Sequence, residues 1–183
     1  MLNEHFGAMS EEVQSYGGVI DKFMGDAIMV VFGDPGHPRE DDAGRAVQAA
    51  VAMVRRRQAM NCYREAAGVP PIRIGVGIHV GPIIMGHIGS QHRLAYTVIG
   101  DAVNVAARLE AATKEHGHPI LVSEDVARAK GQSLPVEEIG ELHLKGREAP
   151  VRVFAVRDGA ECVNEPRREP TTEQALGIGV GPN

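Results

Sequence analysis

Two segments of the sequence set polar groups at spacings that chemistry could use. In DKFMGDAIMVVFG, residues 21–33, Lys22 and Asp26 stand four apart around a Gly-Asp turn, just before a run of apolar residues. A carboxylate there is the hard oxygen ligand that a divalent cation takes and shares with substrate phosphates. The ammonium is a donor suited to the other end of a nucleotide. Each also has a plainer use: Asp satisfies backbone donors in turns, and Lys snorkels from a sheet edge. In YTVIGDAVNVAARLE, residues 96–110, Asn104 and Arg108 share one face of a predicted helix, with Val103, Ala107 and Ala111 on an adjacent apolar stripe. An ordinary solvated face would account for that pair. Small residues at 102, 106, 107, 111 and 112 would also let the helix lie close to a neighbour and hold an amide and a guanidinium rigidly. Arginine so held can stabilise charge on a phosphoryl group.

Other chemistries are poorly served. Histidines 79, 87, 92, 116, 118 and 143 follow no zinc-protease spacing, and the glycines of GVGIHVG and GIGVG open no helix with a dinucleotide fingerprint. Lys145, in LKGREAPV, reads equally as a phosphate lysine or a hairpin residue. Cys62 and Cys162 are too few for a disulfide framework and point to a reducing compartment.

The elements that must carry these residues follow from periodicity. Residues 2–15 repeat Leu2, Phe6, Met9 and Val13 at helical spacing, ending before Gly17-Gly18. Residues 19–23 and 27–32 read as a hairpin, its second strand apolar enough for a buried central position. In that alternation Lys22 shares a face with Ile20 and Met24, opposite Val19, Asp21 and Phe23. A helix over 42–66 precedes a strand over 72–80, IRIGVGIHV, whose glycines permit close backbone approach. Residues 83–88 extend the sheet or form a separate hairpin, and 94–99 lead to a helix over 102–115 with Asp101 as N-cap. Strands over 120–122, 137–144 and 151–156 and a short helix over 124–129 complete an α+β domain with helices packed on a largely antiparallel sheet. Residues 157–183 read as a disordered tail.

Composition narrows the partners. At 183 residues, 43% hydrophobic and with net charge −5, the chain suits one soluble domain. It offers no global attraction for polyanions. Three Tyr, four Phe and no Trp argue against a base-stacking nucleic-acid surface. No segment approaches the apolar length of a membrane span, so direct membrane contact is not expected and a cytoplasmic location is.

Taken jointly, GGVIDKFMGDAIMVVFG, EDDAGRAVQAAVAM, IRIGVGIHVGPIIMGHIGSQHRLAYTVIGDAVNVAARLEAATKEHG and ELHLKGREAPVRVFAV, in this order, closely resemble the catalytic domain of class III nucleotide cyclases over residues 1–156. The resemblance implies a ferredoxin-like sheet with packed helices and a head-to-tail dimer, either a homodimer or a heterodimer of cyclase domains, with ATP bound between subunits. By the same resemblance, Asp26 matches one of two aspartates that hold a Mg2+ or Mn2+ pair, and Lys22 and Thr97 match the residues that recognise adenine. Guanylate cyclases typically carry Glu at the lysine position. Asn104 and Arg108 match residues that orient the ribose and stabilise the transition state, Lys145 matches a triphosphate contact, and Arg93 is a further phosphate candidate. The family's other metal aspartate lies on a first strand, in a motif resembling FADIRGFT, that this sequence lacks. Its absence predicts an open sheet edge and half a metal cage. Two functions are therefore expected: an adenylate cyclase of which this sequence is a truncated form or whose gene product is longer, or a catalytically impaired or half-site module that lends its residues to a partner.

Overall fold

The computed structural model describes residues 2–33, 39–90, 93–129, 134–143 and 149–157. Helix α1 (Leu2–Ser15) buries His5, Ala8, Met9 and Val13 along one face against α2 (Asp42–Ala66). It ends as its glycines require. The amide of Gly17, at φ +75°, donates to the Gln14 carbonyl, and that of Gly18 donates to the Val13 carbonyl, each at 2.9 Å.

Strands β1 (Val19–Met24) and β2 (Ala27–Val31) form a hairpin whose turn is Gly25-Asp26. The apolar run of β2 suggested a buried central strand. Among the described residues it pairs only with β1 and is half-buried, so that expectation fails: hydrophobicity does not by itself supply a second neighbour.

The main sheet has the order β3-β6-β8-β7, from β3 (Val76–Ile78), β6 (Ile120–Ser123), β7 (Val136–Leu142) and β8 (Val151–Val156). β3 runs parallel to β6, and the other pairs are antiparallel. Strand alternation divides the core between two helices. Ile120, Val122 and Val156 face Val47, Ala50, Val51 and Val54 of α2. Leu121, Val153 and Ala155 face Val105, Leu109 and Ala112 of α3 (Asp101–His116). Full burial of each large aliphatic side chain contributes about 1.5–3 kcal/mol.

β3 is shorter than the predicted strand over 72–80. The Asn61 side-chain amide takes both backbone groups of Ile72, accepting from its N–H at 2.9 Å and donating to its carbonyl at 2.8 Å, so this residue has its partners outside the ladder. Close approach of α3 accounts for the glycines: a Cβ at Gly77 would collide with the Ala106 carbonyl and the Glu110 amide. Residues 83–88 take the hairpin alternative, as β4 (Ile84–Ser90) pairs with β5 (Arg93–Ile99) in a separate two-stranded sheet. Gly100, not Asp101, is the N-cap of α3, and Asp101 is its first helical residue. A side chain at Gly100 would crowd the Pro82 carbonyl oxygen, 2.8 Å from a built Cβ. Between β6 and β7 lies α4 (Glu124–Ala127), tied to β7 and β8 through Arg152 of β8, which bonds Glu124 and Glu138. Among the described residues no helix is long and apolar enough to cross a membrane.

Candidate active site

The polar centre of the candidate site is where β1 meets β5. Ile20 pairs with Val30 and Lys22 with Met29, so Asp21 is the extra residue of a β-bulge. A bulge breaks side-chain alternation and re-aims the residue it inserts. The Asp21 side chain is only 8% exposed, and its Oδ2 accepts a hydrogen bond from Thr97 Oγ1 at 2.8 Å. The same oxygen lies 3.3 Å from Lys22 Nζ. Simple alternation put Lys22 and Asp21 on opposite faces. The structure instead joins them, because the bulge removes the alternation at that point. Lys22 and Thr97 thus meet at one carboxylate oxygen although 75 positions of chain separate them.

Asp26 follows Gly25, at φ +64°, in the β1–β2 turn and is exposed. Asn104 and Arg108 are exposed on α3, on the side away from buried Val105, Leu109 and Ala112. The predicted stripe of Val103, Ala107 and Ala111 is displaced: the buried stripe is Ala102, Val105, Leu109 and Ala112, while Ala107 and Ala111 are exposed. Helical spacing alone allows either stripe, and contact with β3 and β6 selects the second. Among the described residues no hydrogen bond or ion pair joins Asn104, Arg108 or Asp26 to the Lys22–Asp21–Thr97 cluster. Arg93 opens β5, but its side chain lies outside the described residues, as do Lys145 and residues 158–183.

Asp26 supplies one exposed carboxylate, and among the described residues no group of three or more His, Cys, Asp or Glu side chains could hold an ion. These residues do not form a metal cage by themselves. Two shallow concavities among the described residues lie along α1 and α2, one around Tyr16 and Arg56 and the other around Arg57 and Tyr63. Neither includes a candidate residue.

Sequence reasoning missed two features. Asp21 was legible as the neighbour of Lys22, but the bulge that turns it to Thr97 leaves no mark in composition. His5 and Arg57 form a buried pair, with Arg57 Nη1 3.1 Å from His5 Nδ1. Burial, and after it the Arg57 guanidinium, holds the imidazole below its ordinary value. Nδ1 is therefore the acceptor, since Arg has only donors.

Known proteins share this fold. The family described as "Adenylate and Guanylate cyclase catalytic domain" matches residues 1–157. The chain is 36% identical over 163 residues to an adenylate cyclase of Anabaena cylindrica, covering 85% of this chain and 31% of that protein. It is 34% identical over 164 residues to adenylate cyclase 1 of Rhizobium meliloti, covering 90% and 24%. It thus spans about a third or less of the length of these curated relatives. Among solved structures, the adenylyl cyclase CyaB of P. aeruginosa superposes with a TM-score of 0.76 at 34% identity, covering 86% of this chain and 80% of the other. The guanylyl cyclase Cya2 superposes with a TM-score of 0.72, also at 34% identity, covering 91% and 81%.

Proposed function

This chain belongs to the adenylate and guanylate cyclase catalytic domain family, and from that premise we propose that it is the catalytic domain of an adenylate cyclase, forming 3′,5′-cyclic AMP and pyrophosphate from ATP. Overall likeness does not select the base, because an adenylyl and a guanylyl cyclase match at the same 34% identity. The observation that carries the reading is local: the Lys22 ammonium and the Thr97 hydroxyl stand at one carboxylate oxygen, a donor beside a hydroxyl, as a pair reading one edge of a purine would.

In this reading the ribose 3′ hydroxyl attacks the α-phosphorus and loses its proton to water, and the bond from the α-phosphorus to the oxygen bridging it to the β-phosphate breaks, so that oxygen leaves with pyrophosphate. Lys22 and Thr97 hold adenine, Asn104 orients the ribose, and Arg108 meets the negative charge that grows on the α-phosphoryl oxygens. Lys145 and Arg93 contact the triphosphate. Class III cyclases generally use Mg2+ or Mn2+, and such ions shield phosphate charge and acidify the attacking hydroxyl. Asp26 would be the one carboxylate that the described residues bring to them.

A second copy of the chain completes the site. Among the described residues no hydrogen bond or ion pair draws Asp26 or the Asn104–Arg108 face to Lys22 and Thr97, and Phe23, Met24, Ile84, Leu94 and Tyr96 leave apolar surface exposed on the two hairpins. The test is cyclic AMP production by the purified chain with ATP and Mn2+ over a protein dilution series. We expect turnover whose specific rate falls on dilution. A folded chain that makes no cyclic AMP, or prefers GTP, overturns the reading.

One observation favours an alternative: the described residues form no metal cage. A half-site module would be silent alone and active only when mixed with a cyclase chain carrying both metal aspartates.

A further inference from the structure

We propose that Asp21 is a positioning residue that sets which purine the site accepts, by fixing the direction of the Thr97 hydroxyl. The proposal rests on the reading that Lys22 and Thr97 face the base. A hydroxyl has one proton and two lone pairs, whereas an ionised carboxylate only accepts. Thr97 Oγ1 donates its one O–H hydrogen bond to Asp21 Oδ2 at 2.8 Å, so toward a ligand it can only accept. The Lys22 ammonium, 3.3 Å from the same oxygen, can only donate. Side by side they present an acceptor and a donor.

The edge of a 6-amino purine is complementary to that arrangement, with an amine donor next to the N1 acceptor. A 6-oxo purine reverses both, placing O6 against the Thr97 acceptor and N1–H against the ammonium. With its proton uncommitted, the hydroxyl could rotate and donate to O6, which would relieve half of the mismatch. Thr97 alone therefore tolerates either base, and the carboxylate removes the choice. The geometry is built for it: the bulge at Asp21 turns the side chain inward, and both the Asp21 side chain and Thr97 are 8% exposed, leaving little room for water to substitute.

The experiment compares dissociation constants for ATP and inosine triphosphate, which differ only at the purine 6-position and the N1 proton. Titration calorimetry with Mn2+ would use the unaltered chain, Asp21→Asn, Thr97→Ala and the double variant, each checked by thermal melting. Asn keeps the shape of Asp while its amide can donate back to the hydroxyl. We expect the preference for ATP to fall about tenfold in Asp21→Asn, the effect of one hydrogen bond, to fall also in Thr97→Ala, and to fall no further in the double variant. A merely structural role would weaken both nucleotides alike and leave the ratio unchanged. If Thr97→Ala changes the ratio and Asp21→Asn does not, or if the two losses add, the proposal is overturned while base reading stands. If the unaltered chain binds both nucleotides alike, or Thr97→Ala leaves the ratio intact, base reading fails and the proposal falls with it. Should Asp21→Asn not fold, Asp21→Ser frees the hydroxyl equally and is read in the same way.

Discussion

In the four-stranded sheet, Ile120, Leu121 and Val122 are at most 1% exposed, and α2 and α3 cover both faces with aliphatic side chains. In the two hairpins, Val19, Phe23, Ile84, Leu94 and Tyr96 are between 49% and 68% exposed, and β1 is tied to β5 by the polar bond from Thr97 to Asp21. The sheet is held by burial, which is non-directional and proportional to area. The junction of the hairpins is held by directional contacts, whose worth lies in the geometry they fix. Helix α3 sets a buried and an exposed position side by side, since Leu109 is fully buried and its chain neighbour Arg108 is exposed.

That adjacency supplies the sharpest way to break the comparison. Leu109→Ala should lower stability by about 3 kcal/mol through lost burial and a residual cavity, seen as a lower denaturant midpoint. A shift under about 0.5 kcal/mol, the surface range, would mean that the sheet is not the stability core. Arg108→Ala should leave that midpoint in place and cut cyclic AMP turnover about a hundredfold, roughly 2.7 kcal/mol of transition-state stabilisation, with ATP affinity nearly unchanged. Equal losses of turnover and affinity would give Arg108 a ground-state role instead. Gly77→Ala should cost about 2 kcal/mol by pushing α3 off β3; an unchanged melting temperature would show that the helix can move away freely. The smallest effect is expected at His5. Its folded-state value is lowered by burial and by Arg57, so the stability it contributes is complete above the ordinary imidazole value and is lost as pH falls through the lower folded value. Melting temperatures across that window should fall less steeply on acidification in His5→Gln than in the unaltered chain, and parallel curves would remove His5 as a contributor.

Much of the fold was legible because its signals are local. The spacing of Met9 and Val13 marked α1, Gly17-Gly18 marked its end, and the alternating glycines of IRIGVGIHV announced a close approach that Gly77 makes against α3. Where the reading failed, pairing and packing had decided the matter. Asn61 claims the backbone of Ile72, and Gly100 takes the cap position expected of Asp101. β2 has the composition of a central strand, yet only β1 pairs with it among the described residues.

The candidate site divides along the same line. Residue types and short spacings determined by themselves that Asp26 sits in a turn four residues after Lys22 and that Asn104 and Arg108 share a helical face, because strand and helix periods are properties of the local backbone. That Asp21 would turn inward at a bulge and accept a hydrogen bond from Thr97, far along the chain, was decided only by the packing of one hairpin on another. A bulge is a mismatch of register between two strands, and register belongs to the pair, so neither strand's sequence contains it.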